Sequence, residues 1–200
     1  AAIGYVSLGS LSDEVKAIKV DGVAATVEDI NNGTYKVARP FLVAYKDGSL
    51  TDVAQDFLNY IMSDDGQAII NEEGYISVAE GNTYTASGMS GRIVLAGSTS
   101  VSPVMEVLAD AYKALNPDVT IEIQQTGSGA GITSAIEGVC DFGMSSRALT
   151  DEEAAELVNT QIATDGIAVV VNNENPVEDM TSDQIKGIYL GEITDWSEIQ

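Results

Sequence analysis

The chain has 200 residues, with 9 Lys or Arg, 31 Asp or Glu and no His, for a formal net charge of -22. Its length and 44% hydrophobic content suffice for one large domain or two small lobes with packed cores and no cofactor. The charge argues against nucleic acid, Cys140 alone makes no intramolecular disulfide, and without His a zinc cluster has too few soft ligands.

In chain order, "VKAIKV" and "YKVARPFLVAYK" read as strands, and Pro40 in the second predicts an edge or a bend where the chain crosses between lobes. "TDVAQDFLNYIM" places Val53, Phe57, Leu58 and Ile61 at helical spacing, and "GQAIINEEG" predicts a second helix with Gly74 near its end. Residues 79–90, "AEGNTYTASGMS", have the composition of a linker.

After this seam, strands and helices alternate. "RIVLAG" is a predicted strand. Ser102 is an expected N-cap with Pro103 at the first helical position, and Val104, Val107, Leu108, Ala111 and Leu115 form the expected buried stripe. "VTIEIQQ" and "CDFGMSS" read as strands around the short helix "GAGITSAIEG". Thr150 with Glu153, and Thr181 with Gln184, are predicted capping boxes on either side of the long apolar strand "IATDGIAVVVN". The alternation predicts parallel βαβ units and an α/β class.

Ligands of open α/β sheets gather at the carboxyl ends of the strands. Three such ends carry hydroxyls and glycines: "AGSTSVSP", "QTGSGAG" and "FGMSSRAL". Gly127, Ser128, Gly129, Ala130 and Gly131 allow successive backbone N–H groups to face an anion at a helix N-terminus. Thr99, Ser100, Ser128 and Ser146 add hydroxyls, and Arg147 is the cationic side chain of these motifs. Each turn taken alone is more often only a tight connection, and Arg147 alone is more often an ion-pair partner, here of the acidic run Asp151 to Glu153. Asp165 can be a turn residue before Gly166, and Asp141 an N-cap or a surface carboxylate. Tyr5, Tyr35, Phe41, Tyr45 and Trp196 are expected to pack in the core and the lobe interface. With no His to activate a serine, catalysis is not expected.

Taken together, "GRIVLAGSTSVSPVMEVLADAYKALNPDVTIEIQQTGSGAGITSAIEGVCDFGMSSRALTDEE" and "IATDGIAVVVNNENPVEDMTSDQIKGIYLGEITDWSEI" resemble the N-terminal half of the phosphate-binding proteins of bacterial phosphate ABC transporters. "AIGYVSLGSLSDEVKAIKVDGV" through "RPFLVAYKDG" and "DFLNYIMSDDGQAIINEEGYISV" resemble the C-terminal part of the same family, so the two pieces stand in circularly permuted order. The family's middle segment, an Arg followed by a Gly-Ser-Gly-Thr turn, has no counterpart in the sequence.

The resemblance implies a periplasmic-binding-protein-like (type II) fold. Residues 40–169 are expected to form one complete α/β lobe, with 40–78 from the family's C-terminal part, 79–90 as linker and 91–169 from its N-terminal part. Residues 1–39 and 170–200 are expected to be fragments of a second, incomplete lobe that can pair with another copy. The resemblance also implies inorganic phosphate as ligand and the membrane permease of an ABC importer as partner, in an extracellular, cell-surface or periplasmic setting. A non-binding structural segment of a larger protein is the alternative. Thr99, Ser100 and Ser128 are the carried-over ligands, flanked by Gly127 and Gly129. Some family members hold Asp at the place of Ser146; with Ser146 and Arg147 there instead, Asp165 is the expected hydrogen-bond acceptor from a neighbouring strand end.

Overall fold

A computed structural model describes residues 2–199. The chain divides into two compact units, Ala1–Ala38 with Asp165–Gln200, and Arg39–Thr164. The first crossing falls beside Pro40. The second falls between Thr164 and Asp165, inside a strand, where the sequence reading put the boundary after Val169.

The first unit opens with β1 (Ile3–Ser7), the two-residue strands β2 (Lys16–Ala17) and β3 (Lys19–Val20), and α1 (Val27–Asn31). Thr26 caps α1 by accepting the Asp29 N–H.

The second unit begins on β4 (Ala38–Tyr45), then α2 (Asp52–Ile61), α3 (Asp64–Glu72), β5 (Ser90–Gly97), α4 (Ser102–Leu115), β6 (Asp118–Gln125), α5 (Ser128–Ile136), β7 (Phe142–Ser145) and α6 (Asp151–Glu156). It closes in β8 (Val158–Val171), which carries the chain back into the first unit. There β8 pairs antiparallel with β1 and with β2, and β3 pairs in parallel with β9 (Asp179–Met180), which precedes α7 (Ser182–Leu190).

The sheet of the second unit runs β8-β4-β7-β5-β6. β5, β6 and β7 are parallel, as βαβ connections require, whereas β4 runs antiparallel to β7, so the sheet is mixed. Alternate residues of a strand face opposite sides. Val43 accordingly joins the main core, with Phe57, Ile61, Leu95, Leu108, Tyr112 and Phe142, while its neighbour Ala44 joins a second cluster with Ile132, Ala135 and Leu157.

The α2 stripe is as predicted: Val53, Phe57, Leu58 and Ile61 are all buried. The α4 stripe is rotated. Met105, Ala109 and Tyr112 join Val104 and Leu108 inside, leaving Val107 and Leu115 exposed. The expected N-cap is also displaced by one residue, because Val101 occupies it and the Ser102 hydroxyl instead donates to the Ser98 carbonyl at 3.0 Å.

Residues 79–89 are irregular but not a loose linker. Asp56 Oδ2 accepts from the hydroxyls of both Tyr84 and Tyr112 at 2.7 Å, its Oδ1 accepts from Ser87, and Asn116 binds the Met89 N–H and the Tyr84 hydroxyl. Tyr84 meets the ring of Tyr60 edge-on and that of Tyr112 at a tilt. The composition shows no periodicity because the segment is held by individual side chains rather than by a repeating backbone ladder.

In the first unit a groove of about 740 Å³ is lined by apolar residues including Ile3, Val15, Val170, Val171, Pro176 and Trp196. Tyr35 is buried as expected and its hydroxyl donates to the Ile167 carbonyl. Tyr5 is not core: it is 64% exposed and meets the ring of Tyr189 edge-on.

Candidate anion site

The parallel run of β6, β5 and β7 places three turns at one edge of the sheet: Ser98–Ser100, Thr126–Ser128 and Ser146–Arg147. Backbone bonds lock them together. The N–H groups of Thr126 and Gly127 both donate to the Gly97 carbonyl, and the Ser98 N–H donates to the Met144 carbonyl. Glycine makes this approach possible. A Cβ on Gly131 would collide with the backbone of Ala96 and Gly97, and one on Gly97 with the backbone of Met144. By contrast, a Cβ on Gly129 would meet nothing within 4 Å.

Gly127 is the N-cap of α5 at φ 87° and ψ 152°, a backbone region open in practice only to glycine. No side chain caps this helix. The first turn of a helix has N–H groups without intrahelical acceptors, and those of Ser128, Gly129 and Ala130 occupy that turn. Among the described residues, α1, α2, α3, α6 and α7 each have a Thr or Ser cap, while α4 and α5 have none. The two helices without a side-chain cap are the two that start at this sheet edge. At α4 the turn supplies its own acceptors: Ser98 Oγ takes the Ser100 N–H, and the Ser98 carbonyl takes those of Val101 and Ser102.

The hydroxyl-bearing residues of the motifs lie on these turns. Ser128 Oγ accepts the Ser146 N–H at 3.2 Å, and the two side-chain oxygens are 3.4 Å apart. Thr99 is exposed and Ser100 half-buried. Arg147 is adjacent, but its guanidinium is engaged by the acidic run: Nη1 and Nη2 donate to the two Glu153 carboxylate oxygens, each at 2.7 Å, and Nη1 also to the Ala148 carbonyl. The Arg147 hydrogen bonds hold the Glu153 carboxyl down to about 2, helped by the Thr150 N–H of the capping box.

Asp165 is not at a strand end. It sits within β8, which β4 separates from β7, and belongs to the first unit, where it is fully buried and accepts from Ser7 Oγ at 2.9 Å. Asp141 is neither a cap nor an idle surface carboxylate, since its Oδ2 accepts the Val94 N–H at 2.8 Å, where β7 has yet to begin. Burial pushes the Cys140 thiol up to about 11, which keeps it protonated. Two residues important to the site escaped the sequence reading, Ser98 and Ser145. Both are buried, and their hydroxyls bond to nearby backbone; Ser145 Oγ accepts the Arg147 N–H and donates to the Arg147 carbonyl. The signal for each was a Ser two residues before another turn residue, the spacing of a local hydroxyl-to-backbone turn.

A mixed α/β sheet with its open donors gathered at the carboxyl ends of parallel strands defines a binding-protein fold, and the model for the PBP superfamily domain matches residues 82–200. Over all 200 residues the chain is 50% identical to phosphate-binding protein PstS 2 of Streptococcus agalactiae, spanning 68% of that protein. It is 33% identical to phosphate-binding protein PstS of Bacillus subtilis, over 59% of this chain and 41% of the relative. A crystal structure of the phosphate-binding protein of a Streptococcus pneumoniae phosphate ABC transporter superposes with a TM-score of 0.92 at 43% identity, covering 99% of this chain and 77% of that one. A Clostridium perfringens structure with bound phosphate matches 54% of this chain and 45% of its own, at 52% identity and a TM-score of 0.51. The chain belongs to the PstS family of phosphate-binding proteins.

Proposed function

We propose that the chain binds inorganic phosphate for an ABC importer and performs no chemistry on it. The carrying observation is the uncapped N-terminus of α5, set between hydroxyl-bearing turns in a chain whose other strand-connected helices satisfy their own ends. The N–H groups of Ser128, Gly129 and Ala130 are the primary donors, with the hydroxyls of Ser128, Ser146, Thr99 and Ser100 around them. Hydroxyls accept as well as donate, so this set suits an oxyanion that keeps a proton near neutral pH. A net charge of -22 does not forbid such binding, because surface charge is screened beyond about 10 Å while these donors act at contact distance.

The importer's membrane permease is the proposed partner, and the outer face of the cell the proposed setting. The permuted order is proposed as a property of this branch of the family, since the Streptococcus agalactiae relative matches all 200 residues whereas the Bacillus subtilis relative matches 59% of the chain.

Calorimetric titration with phosphate tests the reading. Binding by the wild type, weakened about 10- to 150-fold by Ser128→Ala as expected for one lost hydrogen bond to a charged group, supports it. No heat at millimolar phosphate overturns it in favour of a structural segment.

A further inference from the structure

The cationic side chain of the turns around the uncapped end of α5 is already spent. Arg147 follows Ser146 directly, yet both of its Nη groups are on Glu153, forming a bidentate pair at 2.7 Å with the guanidinium further tied to the Ala148 carbonyl. Glu153 is equally fixed. It is the third residue of α6, its Oε2 accepts the Thr150 N–H at 2.9 Å, and the Thr150 hydroxyl accepts the Glu153 N–H in return. The Arg147 backbone is held in turn, through Ser145 Oγ on both its N–H and its carbonyl. A guanidinium turned toward an anion would give up the bidentate pair with Glu153.

We propose that Glu153 is a specificity-determining residue that withholds the charge of Arg147 from the anion, so that the site on this unit recognises its ligand with neutral donors alone. The assignment rests on the phosphate reading above. Its physical consequence concerns discrimination. An uncompensated guanidinium attracts every oxyanion, rewarding total charge; a neutral set of N–H and O–H groups rewards the pattern of donors and acceptors instead. The pair as a whole carries no net charge, so wild-type affinity should also depend weakly on salt for a chain this acidic.

A three-variant cycle tests the assignment. Gln at position 153 preserves the capping box, since Gln serves there as well as Glu, and it keeps a hydrogen-bonding partner for Arg147. Glu153→Gln unmasks the cation and is expected to raise affinity for sulfate, doubly charged near neutral pH, about three- to tenfold at low salt and for the partly protonated phosphate by less, lowering the preference for phosphate, with a steeper salt dependence than the wild type. Arg147→Gln leaves the Glu153 carboxylate uncompensated and is expected to weaken both by a similar factor. The double variant Arg147→Gln, Glu153→Gln is expected to return to wild-type affinity within about twofold.

If Arg147 is instead a direct ligand, the double variant binds as weakly as Arg147→Gln, which overturns the assignment and leaves phosphate binding intact. Failure of the wild type to bind phosphate overturns both. A measurement on the wild type guards against a variant that does not fold: nitrogen-15 resonances of the Arg147 guanidinium should stay in place on saturation with phosphate, and a large shift counts against the assignment.

Discussion

The N-termini of α5 and α7 begin from the same physical problem and end differently. Both are nine-residue helices whose first turn holds N–H groups without internal acceptors. In α7 the problem is solved within the chain: Thr181 and Gln184 cap reciprocally, and Asp21 accepts both the N–H and the hydroxyl of Ser182, hydrogen bonds that lower the Asp21 carboxyl below its usual range. In α5 the cap is a glycine with no side chain to offer, and the nearest hydroxyl, Ser128, is turned toward Ser146. A helix end is therefore a donor set that the protein either consumes or keeps open. Keeping it open is what a recognition site requires.

The sharpest way to break this comparison is to disturb the packing that holds α5 in place. Gly131→Ala drives a methyl into the backbone of β5, and is expected to cost about 3 kcal/mol of stability and to abolish phosphate binding, as read by denaturant unfolding and calorimetry. Gly129→Ala, two residues earlier and facing open space, is expected to leave stability unchanged or slightly raised. Equal losses for the two would show that the close approach at Gly131 is not what seats the helix.

A smaller effect is expected at the closed end. Thr181→Ala removes the α7 cap and should lower stability by about 1 kcal/mol, with phosphate affinity unchanged. A change in affinity comparable to that of Ser128→Ala would mean that the two helix ends are not independent.

The smallest expected effect is a pH dependence carried by Glu153. The Arg147 hydrogen bonds make its carboxyl titrate lower in the folded chain, near 2, than in the unfolded one, where it keeps the ordinary value of a glutamate. The stability it contributes is therefore complete above the unfolded value and is lost as pH falls through the range between the two. Arg147 remains charged throughout. Acid unfolding of Glu153→Gln should show a shallower loss over that range than the wild type, and identical curves would remove the pair from the balance of stability.

Much of the fold was legible in the sequence because its cause is local. The α2 stripe follows from helical period, the Thr150 and Thr181 capping boxes from three-residue spacing, and the glycine-rich start of α5 from backbone freedom at Gly127. The family resemblance singled out Thr99, Ser100 and Ser128 as ligands on the hydroxyl-bearing turns, and parallel pairing of β5 with β6 and with β7 brings those turns to one edge.

What tertiary structure alone decided depends on partners distant in sequence. The face of α4 that is buried was set by where β6 and α3 press against it, so Tyr112 went inside, to Asp56, and Leu115 stayed out. Residues 79–89 looked like linker, yet Asp56 and Asn116 hold them from 27 to 32 positions away. Asp165, read as the end of a strand from the Gly that follows it, lies within one because residues 167–171 continue β8 against β1, near the other end of the chain. The choice at Arg147 between anion and ion pair turned on Glu153. Composition allowed either, and only the fold of the turn into α6 brought both carboxylate oxygens within 2.7 Å of the guanidinium, because a charge-assisted hydrogen bond acts over contact distance and sequence spacing does not specify contact.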